Sequence, residues 1–327
     1  MAVAPFGWRH AVAGTGGAAH DAGLQWLLGR QSADGAWRSE SYGAFRDGSA
    51  LTPMVLRSLI GRREAATACR KAAAWMLEQG DALFAEYPVH HSSAILEAVG
   101  ACSELRPLAE LARKKLLALQ CPRTGGWSYS RVAPPATGDL PPMQQANLSA
   151  TAMAVDGLCA IGDPTAARKA LEFVRVCQNL ETGETTFDDG GFFQMPDDSA
   201  RNKAGSAGAD RNGKPRYLSY ASATADGLRA LLRCGEPADS PRVVTAASWL
   251  EGYRWSVQGS RNAPADLCYY TAGSLRHTSE VCARIRPVAS QLLIAACGEN
   301  GSWRNAAVEM REDCSVVATA LAVEALG

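Results

Sequence analysis

Two kinds of apolar segment alternate along the chain. In the first kind, leucine and aromatic residues recur at helical spacing with charged residues between them. Four of these segments lead into a turn that ends on an aromatic residue, at Trp37, Trp127, Phe192 and Trp303. Such a helix has one wet face and one buried face. In the second kind, charge nearly vanishes and Ala, Ser, Thr and Gly dominate, as in Ala50 to Gly61, Leu148 to Gly162, Tyr220 to Gly235 and Ser315 to Gly327. A helix that is small and uncharged all round is packed on all sides or lines a cavity. Two weaker units fill the gaps, Ala72 to Gly80 with His90 to Cys102, and Ala246 to Trp255 with Cys268 to His277. The alternation predicts about six helix pairs, one ring inside the other: an all-α toroid around a central cavity.

The turns carry their own signal. Gly35, Gly125, Gly190 and Gly301 each lie close before the aromatic residue. Glycine allows the left-handed backbone that ends a helix, and the aromatic side chain then covers the turn. A closed ring needs no polar capping repeats, unlike an open stack. Residues 1–17 are Ala/Gly-rich and read as an N-terminal extension, with residues 18–327 as the toroid domain.

Composition narrows the picture. The chain has 327 residues, of which 47% are hydrophobic, enough for a large core. A prior of about 150 residues per domain suggests two domains, but the repeat argues for one. Lys+Arg and Asp+Glu balance at 33 each, which excludes the basic face that nucleic-acid binding needs. No apolar run reaches the roughly 18 residues of a transmembrane helix. The N-terminus lacks the basic and apolar regions of a signal peptide. The ten cysteines form no CxxC pair, and Cys69, Cys102, Cys159, Cys177 and Cys234 sit on apolar helix faces. Free cysteines of this kind point to a reducing compartment, hence the cytoplasm.

The Gln-x-x-x-Gly-x-Trp turns, followed by helices such as Ser315 to Leu321, resemble the prenyltransferase/squalene-cyclase repeat. Squalene-hopene cyclases, oxidosqualene cyclases and the β-subunits of protein prenyltransferases share it. The resemblance covers nearly the whole chain and is most specific over Cys177 to Leu228 and Asn300 to Leu321. It implies the α/α toroid fold and an isoprenoid or other apolar small molecule as partner. It also implies either class II cyclisation, begun by protonating an alkene, or zinc-dependent prenyl transfer. A third reading is a non-catalytic toroid that binds a lipid or peptide.

Three constellations follow. The cyclase resemblance implies a D-x-D-D acid, and the nearest match puts Glu312 at the middle Asp and Asp313 at the last, with Met310 in place of the first. The same residues also read as a helix cap and its neighbour. The prenyltransferase resemblance implies Asp266 and Cys268 of an Asp-x-Cys-Tyr segment as zinc ligands, or else a cysteine packed at a helix start. His277 is badly spaced to complete that site. Finally, Phe192, Phe193, Tyr217, Tyr220, Tyr269 and Tyr270 gather at inner-helix starts and the loops before them, where aromatic faces stabilise cations or fill the core. His91 is a candidate lining residue beside His90. The segment Asp197 to Lys214 reads as an irregular loop that could cover one mouth of the ring.

Overall fold

The computed structural model describes residues 6–180, 186–196, 198, 200–255, 268–278 and 281–327, with side chains from Gly17 onward. The outer helices are α1 (Phe6–Leu28), α3 (Ala66–Gln79), α5 (Arg106–Leu119), the broken pair α7 (Pro164–Arg168) and α8 (Leu171–Val176), α10 (Pro241–Gly252) and α12 (Ile285–Ala295). The inner helices are α2 (Leu51–Leu59), α4 (Pro88–Ala98), α6 (Leu148–Ala160), α9 (Ala221–Cys234), α11 (Tyr269–Arg276) and α13 (Ser315–Leu326). Helix α1 is continuous across the residue 17/18 boundary expected from composition.

The inner helices pack on one another in chain order, and α13 returns to α2, so the ring closes. Their small residues permit this: nearly every residue of α6 and α13 is buried, Ala152, Ala154, Ala318 and Ala322 completely. The outer helices bury one stripe only, such as Leu108, Ala112, Leu116 and Leu119 in α5.

The turns between outer and inner helices repeat one hydrogen-bond scheme. The indole N–H of Trp37, Trp127 and Trp303 donates to the carbonyls of Leu27, Leu116 and Leu293 at 2.7–2.8 Å. The backbone N–H of each of these Trp residues, and of Phe192, donates to a threonine hydroxyl near the start of the inner helix: Thr52, Thr151, Thr319 and Thr224. These are the aromatic groups whose polar atoms must be satisfied when buried. Three glutamines, Gln31, Gln120 and Gln178, each donate to the turn glycine's carbonyl and to the next outer element, at Ala68, Ala166 and Arg242.

The glycines are required twice over. Gly125 has φ +72°, and a Cβ there would lie 2.0 Å from the Lys169 carbonyl oxygen. Gly301, at φ +80°, meets the backbone of Ala22 in the same way. Each turn thus rests on the following outer helix, and the last rests on the first.

The segment expected to be irregular is partly ordered instead. Ser206–Ala209 and Pro215–Tyr217 pair as an antiparallel hairpin. Gly208 and Gly213 take positive φ there, which gives the chain its reversal.

Candidate functional site

The inner helices lie side by side with their N-termini at one end of the ring and their C-termini at the other. The two ends differ in chemistry. At the C-terminal end lies a floor of buried ion pairs. Arg229 of α9 binds Asp156 of α6 at 2.9 Å and Asp226 at 2.8 Å. Arg233 adds a second contact to Asp156. Arg57 of α2 reaches Glu324 of α13 at 2.7 Å and Glu97 of α4 at 3.4 Å. His277, at the end of α11, lies on this side and is pushed down to about 3 by burial and the Arg229 charge.

Above the floor, Asp226 is completely buried and gathers three hydroxyl donors from α6 and α11. Ser149 Oγ donates at 2.7 Å, Tyr270 Oη at 2.9 Å and Ser274 Oγ at 2.9 Å. Tyr220 Oη donates to Gln194, whose own amide reaches Asn147 and Ser149. Tyr129 belongs to the same group. Its ring stacks on His90 with centroids 5.4 Å apart. Burial and the Asp226 charge push its hydroxyl up to about 12, with Ser149 and Gln194 beside it. Yet 42% of Tyr129 remains accessible. Tyr129 keeps accessible surface beside Tyr220, Tyr270 and His90, and the space these side chains border is the hollow. Tyr220, Tyr270 and His90 are half-buried around it. Burial drives His90 down to about 4 and raises Tyr220 and Tyr270 well above the ordinary phenol. The groups around the hollow are therefore uncharged at neutral pH, apart from the ion-paired Asp226.

Of the expected lining residues, Tyr220 and Tyr270 meet at this hollow. Phe192 is completely buried against Gly227, where an added Cβ would sit 2.3 Å from its ring. Phe193 and Tyr217 are buried together, centroids 5.5 Å apart. Tyr269 is buried with its hydroxyl on the Arg304 carbonyl. His91 is 2% exposed and donates its Nδ1 proton to the Leu83 carbonyl at 2.5 Å. These five fill turns and core.

Glu312 and Asp313 point to different places. Glu312 is completely buried and accepts the N–H groups of Tyr269 at 2.9 Å and Tyr270 at 2.8 Å, the first two residues of α11. The side-chain amide of Asn305 also donates to it. Burial outweighs these donors and lifts the carboxyl to about 7. Asp313 accepts the Tyr42 hydroxyl at 2.5 Å and lines a separate cavity at the rim, between the end of α1 and the start of α13.

Of the two expected zinc donors, one lies among the described residues. Asp266 lies outside the described residues. Cys268 Sγ is 2.8 Å from Thr271 Oγ1, and burial beside Glu312 pushes the thiol up to about 12. Zinc needs a thiolate and further ligands, and among the described residues no three His, Cys, Asp or Glu side chains group to hold a metal.

Composition alone missed Asp226, Tyr129, Ser149, Gln194 and Arg229. The signal was available for Asp226: one carboxylate in the otherwise uncharged run Tyr220 to Leu228. A lone charge in a buried helix is paired or functional.

A ring of this geometry recurs among solved structures. A variant of the type II terpene cyclase MstE from Scytonema, in complex with geranylgeranyl dihydroxybenzoate as substrate, matches over 97% of both chains, with TM-score 0.64 and 16% identity. The chain has the fold of the type II terpene cyclases. Another MstE variant with the same substrate covers 97% of this chain and 98% of its own, at TM-score 0.66 and 17% identity. A protein from Actinoplanes covers 95% of this chain and 98% of its own, at TM-score 0.60 and 17% identity. No protein-family model matches the chain, and no curated protein matches it.

Proposed function

We propose that this chain is a class II-type terpenoid cyclase that takes an isoprenoid into the hollow above Asp226. The observation that carries the proposal is the wall itself: Tyr129, Tyr220 and Tyr270 gather with His90 around the buried Asp226. The likeness to MstE, a cyclase with an isoprenoid substrate bound, supports it. The same reading treats residues 18–327 as one domain of six helix-pair repeats. It places the protein in the cytoplasm, supported by ten free thiols. No helix among the described residues is long and apolar enough to cross a membrane.

In this reading Glu312 is the proton store. A carboxyl lifted to about 7 keeps its proton near neutrality. Transfer of that proton to a terminal alkene carbon uses the π pair to form the C–H bond and leaves a tertiary cation. The next alkene closes the ring, and loss of a proton from carbon ends the sequence. The tyrosine faces and the Asp226 carboxylate stabilise the cation. Asp313, turned towards the rim, takes no part.

A second reading rests on the burial of Glu312. Three N–H donors occupy its oxygens, and a carboxyl at about 7 is a weaker acid than an ordinary one. On that reading the toroid binds an isoprenoid or lipid without turnover.

Incubation with geranylgeranyl dihydroxybenzoate and with geranylgeranyl diphosphate, followed by chromatography and mass spectrometry, separates the two. Cyclisation gives a product of unchanged mass and shifted retention. Binding without such a product favours the second reading. An isomeric product that survives in Glu312→Gln would rule out Glu312 as the acid.

A further inference from the structure

The polar groups of the hollow gather at the level of Asp226, and the direction of their protons decides what they accept. Ser274, four residues further along α11 than Tyr270, reaches Asp226 at 2.9 Å. The carboxylate therefore lies about one helical turn deeper than the start of α11. The hydroxyl protons here are already used within the protein. Ser149, Ser274 and Tyr270 donate to Asp226, and Tyr220 donates to Gln194 Oε1 at 3.1 Å. The Gln194 amide donates to Asn147 and Ser149 in turn. These tyrosines thus offer the hollow their ring faces and oxygen lone pairs, not their protons.

We infer that the substrate's head group is an uncharged hydroxyl donor, an alcohol or a phenol, and that a reaction which removes diphosphate supplies this substrate. The inference rests on the cyclase reading, which gives the chain its direction. Glu312 accepts the N–H groups at the start of α11, so the terminal alkene that it protonates lies at that level. The other end of the isoprenoid, its head, then points down to Tyr220, Tyr270 and Asp226. A diphosphate there would meet a buried carboxylate and tyrosine lone pairs. The guanidiniums underneath are committed, Arg229 to Asp156 and Asp226, and Arg57 to Glu324 and Glu97. His90 is held neutral by burial, and one imidazole N–H does not offset a dianion. An anion buried without a partner is costly. A hydroxyl, by contrast, donates to the Tyr220 oxygen and leaves the network as it stands. In the supplying reaction the allylic C–O bond breaks and diphosphate leaves with the electron pair. The carbon then bonds to an acceptor, water or an aromatic ring, which gives up a proton.

Titration calorimetry of the purified chain with geranylgeraniol and with geranylgeranyl diphosphate tests this. The alcohol should bind at least about ten-fold more tightly than the diphosphate. Tyr220→Phe removes the accepting oxygen. It should weaken binding of the alcohol about five-fold, and leave unchanged the binding of the same hydrocarbon with hydrogen in place of the hydroxyl. Thermal melts confirm that the variant folds. Weakening of both ligands alike, or of neither, overturns the placement of the head at Tyr220. Diphosphate bound as tightly as the alcohol overturns the inference and leaves the cyclase reading in place, because an isoprenoid still enters. If none of these ligands binds, both fall.

Discussion

The two ends of the inner ring handle the same difficulty in opposite ways. Both bury titratable side chains inside helices that are otherwise small and apolar. At the floor the charges persist because they are paired: Arg229 with Asp156 and Asp226, Arg57 with Glu97 and Glu324. Around the hollow and at the start of α11 the charges are suppressed. His90 falls to about 4, while Tyr129 rises to about 12, Glu312 to about 7 and Cys268 to about 12. Pairing ties α6 to α9, and α2 to α4 and α13, at one end. Suppression leaves the other end neutral, which is what an apolar ligand requires. Burying a charge is costly by either route, so the difference reflects what each end does rather than how deep it lies.

The comparison can be broken most directly at the floor. Arg229→Met removes one cation and leaves Asp156 and Asp226 buried without it. The loss should be about 3–5 kcal/mol, as for other buried pairs that lose one partner, and urea unfolding measures it. A loss below about 1 kcal/mol would mean that water reaches the floor and that pairing is not what holds those charges.

Next comes the suppressed end. Glu312 has its folded value raised from 4.5 to about 7, so its contribution is fully present below pH 4.5 and is lost as pH rises through 7. By linkage the loss is roughly 3 kcal/mol. Glu312→Gln should therefore gain on wild type by about that much between pH 4.5 and 8. His91 runs the other way: its value is lowered from 6.5 to about 4, so its contribution is present above 6.5 and lost as pH falls towards 4. His90 and His277 are lowered as well, so both proteins should gain stability as pH rises between those limits, the Gln variant more steeply than wild type. Parallel profiles for the two proteins would show that Glu312 is not the group that titrates.

Smaller effects belong to the turns and the hollow wall. Thr151→Val leaves the buried Trp127 N–H without its acceptor and should cost about 1–3 kcal/mol in unfolding experiments. Tyr220→Phe removes the single hydrogen bond to Gln194 and should cost about 1 kcal/mol. Because Tyr220 lines the hollow, that variant should alter ligand binding more than its small stability change suggests, as read by isoprenoid titration.

Much of the ring could be read from the chain because its causes are local. The turn glycines, the aromatic residue after each and the low charge of the inner helices are all short-range features. The site was less legible because it is assembled across the ring. Arg57 and Glu324 are 267 positions apart yet form one ion pair. Aromatic residues near inner-helix starts looked alike in sequence, but Phe192 turned into a packing slot at Gly227 while Tyr220 turned inward. Glu312 and Asp313 are adjacent, and successive side chains diverge, so one serves α11 and the other the rim. Side-chain direction at a helix entrance depends on the loop's path, which no spacing rule encodes.

The contact between Gly301 and Ala22 has a further consequence. It joins the last turn to the first helix across almost the whole sequence, a separation that favours slow, cooperative folding. It also fixes the number of units. An open stack of hairpins can grow or shrink by one member during evolution, but this circle would be left gapped by a deletion and strained by an insertion. Variation in what such a ring encloses must therefore come by exchanging side chains on a fixed circumference.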